Sequence, residues 1–218
     1  MLLRSLKLAV LLTSSSVALV SNTFACIDEH GLFPNAKNIS IPTSYHNVLN
    51  PLAVTEEAFY SVTADVEKIY SPVIKSLGGV LQVVKDWKSK TANASAKRIG
   101  TVYQVNMYGG LARHPLITTD GYALVLCHEI GHHLGGKPLS SSWASNEGQA
   151  DYFATAKCLR KYFSQQDNAA IVANMLVPDK VQAHCFKSFG PSTDHAICVR
   201  GALAGLAIAN VFEALAKG

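Results

Sequence analysis

The sequence predicts an α+β fold: a small sheet laid down first and the main run of helices after it. Three observations carry that expectation. Segments that are β-branched or alternate between apolar and polar residues fall before residue 119. From Asp120 onward the apolar residues recur at helical spacing. Strands first and helices afterwards is the order of α+β proteins, not of a parallel doubly wound sheet. A chain of 218 residues is long enough for one domain with a core of useful size.

The elements follow in order. Met1–Lys7 carries Arg4 and Lys7, Leu8–Val20 is mostly apolar, and Thr23-Phe24-Ala25 puts small residues where a signal peptidase reads. Residues 1–25 therefore read as a secretory signal, and the mature chain is expected in the periplasm or outside the cell. An uncleaved anchor is the alternative, but the apolar run falls short of the roughly 20 residues that span a bilayer. Cys26 invites a lipoprotein reading, against which "NTFAC" lacks the aliphatic residue expected three positions before a lipidated cysteine. Residues 26–218 read as a single domain, with residues 26–53 wrapping its surface.

Val54–Ser76 reads as an amphipathic helix with Ala58, Val62, Val66, Ile69, Tyr70, Val73 and Ile74 on its apolar face, stopped by Gly78-Gly79. Val80–Trp87 suits a strand, "KTANASAK" (90–97) a turn or loop, and Thr101–Met107 a second strand closed by Gly109-Gly110. A third short strand is expected around Leu116–Thr118. Asp120–Leu134 is a helix ended by Gly135-Gly136; Ser145–Phe163 is the next, with Ser145 as its N-cap. Another runs near Asp167–Met175. The last, Thr193–Ala216, is very apolar and contains "GALAG", but Arg200, Asn210 and Glu213 interrupt it, so it reads as a core helix and not a membrane span.

Composition narrows the function classes. With 16% charged and 49% hydrophobic residues the chain is neither disordered nor a polycation. The formal charge of +4 includes Arg4 and Lys7, and no basic stripe is interleaved with aromatics, so a nucleic-acid partner is not expected. Five cysteines, Cys26, Cys127, Cys158, Cys185 and Cys198, favour disulfides in an exported protein and leave one over. Cys185 and Cys198 are the favoured pair because they flank a short Gly/Pro loop, whereas Cys127 reads as a small buried hydrophobe. No C-x-x-C spacing supports a zinc ribbon.

The stretch "LVLCHEIGHHLGG" (124–136) carries the chemistry. His128-Glu129-Ile130-Gly131-His132 is H-E-x-x-H on an apolar helix. Histidines four apart share one helix face, one turn apart, and can offer two imidazole nitrogens to one zinc ion. Glu129 stands where it can take a proton from water at that ion. The metzincin continuation fails, because Pro138 occupies the place of the third histidine. His133 points about 100° away around the helix and reads as a surface or second-site polar residue. Downstream, "SNEGQADYFATAKC" places Glu147 and Asp151 four apart on the next helix. Glu147 can reach the metal as third ligand, and Asp151 can accept the other ring N–H of His128. Tyr152 reads as core.

H-E-x-x-H followed by Asn-Glu-x-x-x-Asp resembles the gluzincin metallopeptidases, and Glu147-Gly148-Gln149-Ala150-Asp151 is similar to the E-x-x-A-D element of endopeptidases related to the CAAX prenyl protease. The resemblance is good over Tyr103–Cys158 and loose over Val54–Arg200. It implies a zincin-like fold with a small mixed or antiparallel sheet, in which Tyr103–Tyr108 is an edge strand that binds extended peptide by β-augmentation. It also implies a histidine and an arginine near the substrate. "STDHAICVR" supplies His195, as donor to a tetrahedral oxyanion, and Arg200, with His-Ala where the family has His-Pro. Many relatives are membrane-embedded; this chain is expected to be a small, soluble, exported version.

The resulting expectation is a zinc-dependent endopeptidase with one Zn2+ held by His128, His132 and Glu147, with Glu129 and His195 as catalytic residues, and with an extended peptide or unfolded protein as substrate. Two other readings stand beside it: a catalytically silent zinc-fold scaffold, and a zinc hydrolase of cell-wall peptides.

Overall fold

The computed structural model describes Ile41 and residues 53–216; the signal segment, Cys26 and nearly all of residues 26–53 lie outside the described residues. The architecture is α+β, as expected, with a three-stranded sheet and a majority of helices.

Helix α1 (Glu56–Ser76) is capped by the Thr55 side chain, which accepts from the Ala58 N–H. Its buried stripe is Phe59, Val62, Thr63, Val66, Tyr70 and Ile74. Val73, assigned above to the apolar face, is 43% exposed, because it lies one residue off that stripe. Strands β1 (Val80–Asp86), β2 (Ala94–Ile99) and β3 (Val102–Tyr108) form a sheet in the order β1-β3-β2. β1 runs parallel to β3, and β2 runs antiparallel to it.

Two expectations change here. Tyr103–Tyr108 is the central strand and not an edge, because β1 and β2 pair with it on either side. And β2 comes from the segment read as a loop. Alanine and lysine are poor strand formers, but propensity yields to pairing with β3 and to burial of Ala94 and Ala96, which leave room for a closely packed helix. The Leu116–Thr118 strand reduces to one isolated bridge, Ala53 to Thr118.

Helix α2 (Gly109–Ala112) is a single turn. Helix α3 (Thr119–Leu134) starts at Thr118, whose side chain accepts from Gly121 N–H, and is buried along nearly its whole length. It packs on β2, β3 and α1 and carries the H-E-x-x-H motif through the middle of the molecule.

The expected Ser145–Phe163 helix is three consecutive pieces: α4 (Glu147–Phe153), a π-helical turn over Ala154–Leu159, and α5 (Arg160–Phe163). Its N-cap is Asn146, which accepts from Gln149 N–H, and not Ser145, whose carbonyl is engaged elsewhere. Tyr152, read as core, is 58% exposed; it sits on the solvent side of α4, next to the exposed Asp151.

Helix α6 is Asn168–Val172, shorter than expected. Helix α7 (Asp179–Phe189) was not anticipated, since its sequence is largely exposed and offers a short apolar stripe. Helix α8 (Thr193–Ala216) packs on α3, α6 and α7. By length and composition it is apolar enough to cross a membrane. Cys185–Cys198 joins α7 to α8, as anticipated. Cys127 is not a free buried thiol: it is bonded to Cys158 across α3 and the π-helical turn. Two disulfides indicate an oxidising environment of the kind exported proteins meet.

Candidate metal centre

Helix α3 presents His128 and His132 one turn apart, with ring centroids 4.7 Å apart and planes nearly perpendicular. Helix α4 crosses this face. The crossing is close because Gly131 has no side chain: a Cβ there would lie 2.6 Å from the Ala150 carbonyl oxygen and 2.8 Å from its Cα. Gly135 serves the next turn, where a Cβ would meet the Gln149 carbonyl oxygen and Ser145 Oγ at 2.9 Å. These glycines let the first residue of α4, Glu147, come to rest in front of both histidines. Its Oε2 is 3.2 Å from His128 Nε2 and 3.8 Å from His132 Nε2.

The other face of each ring explains the tautomers. His128 Nδ1 is 2.8 Å from Asp151 Oδ1, and His132 Nδ1 is 2.9 Å from the Ser145 carbonyl oxygen. A carbonyl oxygen can only accept, so His132 carries its hydrogen on Nδ1 and directs a lone pair from Nε2 toward Glu147. Burial holds the His132 imidazole below its ordinary range, which keeps the ring neutral. The carboxylate of Asp151 orients His128 in the same sense. His132 Nε2 is buried and has no hydrogen-bond partner among the described residues.

His128, His132 and Glu147 thus bring one ligand atom each to within 4.8 Å of one another. Convergence of two nitrogen lone pairs and a carboxylate is repulsive by itself, and a divalent cation between them reverses its sign. Two imidazoles, a carboxylate and a hydrogen-bonded outer partner on each ring form a donor set that fits a metal ion.

Glu129 lies beside this cluster. It is 0% exposed, and among the described residues neither carboxylate oxygen has a hydrogen-bond partner. Burial pushes its carboxyl up to about 8; Glu147 adds to the rise and His128 opposes it. A nearby cation would bring it back toward the ionised form.

His133 is 8% exposed, so the surface reading fails. Its Nε2 is 3.0 Å from the Gln104 carbonyl oxygen and its Nδ1 3.4 Å from Arg98 Nη2. The carbonyl requires a donor at Nε2 and the guanidinium requires an acceptor at Nδ1, so both nitrogens are committed and His133 is no ligand. The ring stacks on Trp143, while Arg98 lies 3.3 Å above Tyr103. This cluster ties β2 and β3 to the end of α3.

His195 sits at the start of α8, edge-on to Phe186, and lines a cavity of about 500 Å³ with Gln166, Asn168, Ser192 and Thr193. That lining includes none of His128, Glu129, His132 or Glu147. The His195 cavity is thus lined by residues other than those of the H-E-x-x-H cluster. Arg200 is buried and engaged by Asp120, Gln166 and Asn168, at the far end of α3 from His132.

Sequence reasoning missed three groups. Ser145 contributes a backbone carbonyl, for which no residue type is a signal. The His133–Arg98 contact depends on a strand read as a loop. The Cys127–Cys158 bridge did carry a signal, since the two cysteines bracket every residue of the cluster.

No family model, no curated protein and no solved structure matches this chain. The resemblance to the gluzincins therefore rests on the motif residues of the sequence alone.

Proposed function

We propose that the protein is a zinc-dependent endopeptidase of an exported compartment, built on a zincin-like arrangement. The observation that carries this reading is the meeting of His128, His132 and Glu147 from two helices, with the buried Glu129 beside them. His128, His132 and Glu147 would hold a zinc ion, which when bound would supply Lewis acidity toward a carbonyl and toward water.

The chain's own residues supply the rest. Asp151 and the Ser145 carbonyl fix the two imidazoles, so Nε2 of each faces Glu147. Glu129 accepts a proton from the attacking water and returns it to the leaving amine nitrogen, a role worth typically 10²–10⁴-fold. The apolar wall formed by Val125, Leu126 and Ile130 excludes bulk water from the buried side of the motif. With β3 central, β1 and β2 are the two edges; β2, which packs against α3, is the one we assign to an extended peptide.

The decisive experiment compares the mature chain with Glu129→Gln. The variant is expected to keep zinc, measured by mass spectrometry, and to lose cleavage of unfolded casein by at least 10²-fold. Cleavage at the parental rate would overturn the mechanism. Purified peptidoglycan assayed in parallel separates a general endopeptidase from a hydrolase of cell-wall peptides.

A further inference from the structure

We propose that the Cys127–Cys158 disulfide is the positioning latch of the metal cluster, so that the three ligands are held together in the oxidised chain and fall apart in the reduced one. The inference rests on the metal-binding reading above and adds a condition to it.

The ligands come from two separate helices, and something must hold Glu147 against α3. Glu147 is the first residue of α4, at the end of the helical run that continues through the π-helical turn into α5. The hydrogen bond between His128 and Asp151 crosses the two helices, but the Asp151 side chain is 70% exposed, so water competes for it. The Gly131–Ala150 approach permits closeness without enforcing it. Ser145 is bonded to His132 in both directions, at 2.8 and 2.9 Å, which holds the entry to α4; the disulfide adds a covalent tie on the far side of the ligand helix. Cys127 immediately precedes His128 on α3, and Cys158 lies in the π-helical turn that continues α4. Both cysteines are 0% exposed, and their Cα atoms are 5.6 Å apart.

Its sequence span matters as much as its position. The bridge closes a loop with a sequence separation of 31, and His128, Glu129, His132, Ser145, Glu147 and Asp151 all fall inside it. Metal affinity includes the cost of gathering ligands that are apart without the metal. Closing the loop lowers that cost before any ion arrives. Cys185–Cys198 closes a loop containing none of those residues and joins α7 to α8, which makes it an internal control.

Forming the bridge takes two electrons and two protons from the Cys127 and Cys158 thiols; a protein disulfide oxidant accepts them and leaves as its dithiol. The chain would thus carry a poor metal site in a reducing compartment and a complete one after oxidation.

The test compares the full mature wild-type chain, Cys127→Ala/Cys158→Ala and Cys185→Ala/Cys198→Ala. Each apoprotein is melted, then titrated with Zn2+ against a chromophoric chelator. Both variants should melt lower than wild type. Only the first should bind Zn2+ more weakly, by about tenfold or more, the scale on which outer partners of metal ligands act. Affinity within twofold of wild type, or equal weakening in both variants, would overturn the inference. Should the first variant fail to fold, folded zinc-loaded wild type is opened with a water-soluble phosphine and its thiols are mapped by alkylation. Zinc retained by molecules with the Cys127–Cys158 bridge open would sink the proposal equally. Wild type that binds no Zn2+ would fail the metal reading instead, a different and recognisable result.

Discussion

Around Arg200 and around Glu129 the chain takes charged side chains out of water, and the two regions treat them in opposite ways. The Arg200 guanidinium meets both oxygens of Asp120, at 3.0 and 2.7 Å, and donates further to Gln166 and Asn168 at 2.8 and 2.7 Å. It also lies 3.8 Å over the Phe163 ring. Opposite charges and matched donors and acceptors close this network on itself. At the middle of α3 the arrangement is different: among the described residues, His132 Nε2 and both Glu129 oxygens are buried without a hydrogen-bond partner, and Glu147 Oε2 lies 3.2 and 3.8 Å from two imidazole nitrogens. The first arrangement needs nothing from outside the protein. The second gathers a donor set that could hold a metal ion. Burial alone does not mark a functional site; buried polar groups of one kind pointing at one another do.

The largest effect should come from breaking the closed network. Arg200→Met leaves Asp120 as an uncompensated buried carboxylate and is expected to cost about 3–5 kcal/mol of stability by urea unfolding. Zinc affinity of the folded fraction should not change. Adding Asp120→Leu to that variant should recover much of the loss, since replacing a buried pair by apolar residues is often close to neutral. If Arg200→Met instead weakened zinc binding and left stability intact, Arg200 would belong to the site and the contrast between the regions would fail.

The opposite signature is expected at the cluster. Glu147→Gln removes a ligand and should weaken Zn2+ binding by more than the roughly 100-fold that is the upper end for an outer partner. Asp151→Asn keeps an acceptor near His128 Nδ1 without the charge, and should weaken it by about tenfold. Neither should lower the melting temperature of the apoprotein by much, because both carboxylates are more than a third exposed. Competition titrations beside apoprotein melts check both statements. Apoprotein destabilised by Glu147→Gln would mean that the carboxylate is a structural partner of the histidines and not a ligand awaiting a cation.

The same contrast explains how much was legible beforehand. Spacing of four on a helix is a geometric fact, so His128 with His132, and Glu147 with Asp151, could be put on common faces from the sequence. The α+β class followed from the order of periodicities, and Cys185–Cys198 from proximity in the chain. What stayed hidden depends on tertiary packing. Ala94 and Ala96 form a strand because β3 pairs with them and α3 lies over them, not because alanine prefers it. That hidden strand turned β3 from an edge into the centre of the sheet. Cys127 looked like a hydrophobe because its partner is 31 residues away, across a π-helical turn that no sequence rule flags. His195 and Arg200 were placed by resemblance, and their contacts put them in a cavity and a network of their own.

The smallest expected effect sharpens the contrast at a fourth buried imidazole. His114 precedes α3 and is 9% exposed. Its Nδ1 accepts from the Leu116 N–H at 3.3 Å, so its hydrogen sits on Nε2, the reverse of His132. Burial lowers its pKa below the ordinary 6.5. Above that value the ring is neutral in both folded and unfolded chains and pH has no leverage. As pH falls below 6.5 the unfolded ring takes up a proton that the folded one refuses, so stability declines until the lowered folded value is passed. His114→Asn puts Oδ1 where Nδ1 was and cannot titrate. The melting temperature of the metal-free variant should therefore fall less steeply between pH 7 and 5 than that of the metal-free wild type. An identical slope would mean that the acid sensitivity of the fold comes from elsewhere, with His132 and its convergent neighbours as the next residues to vary.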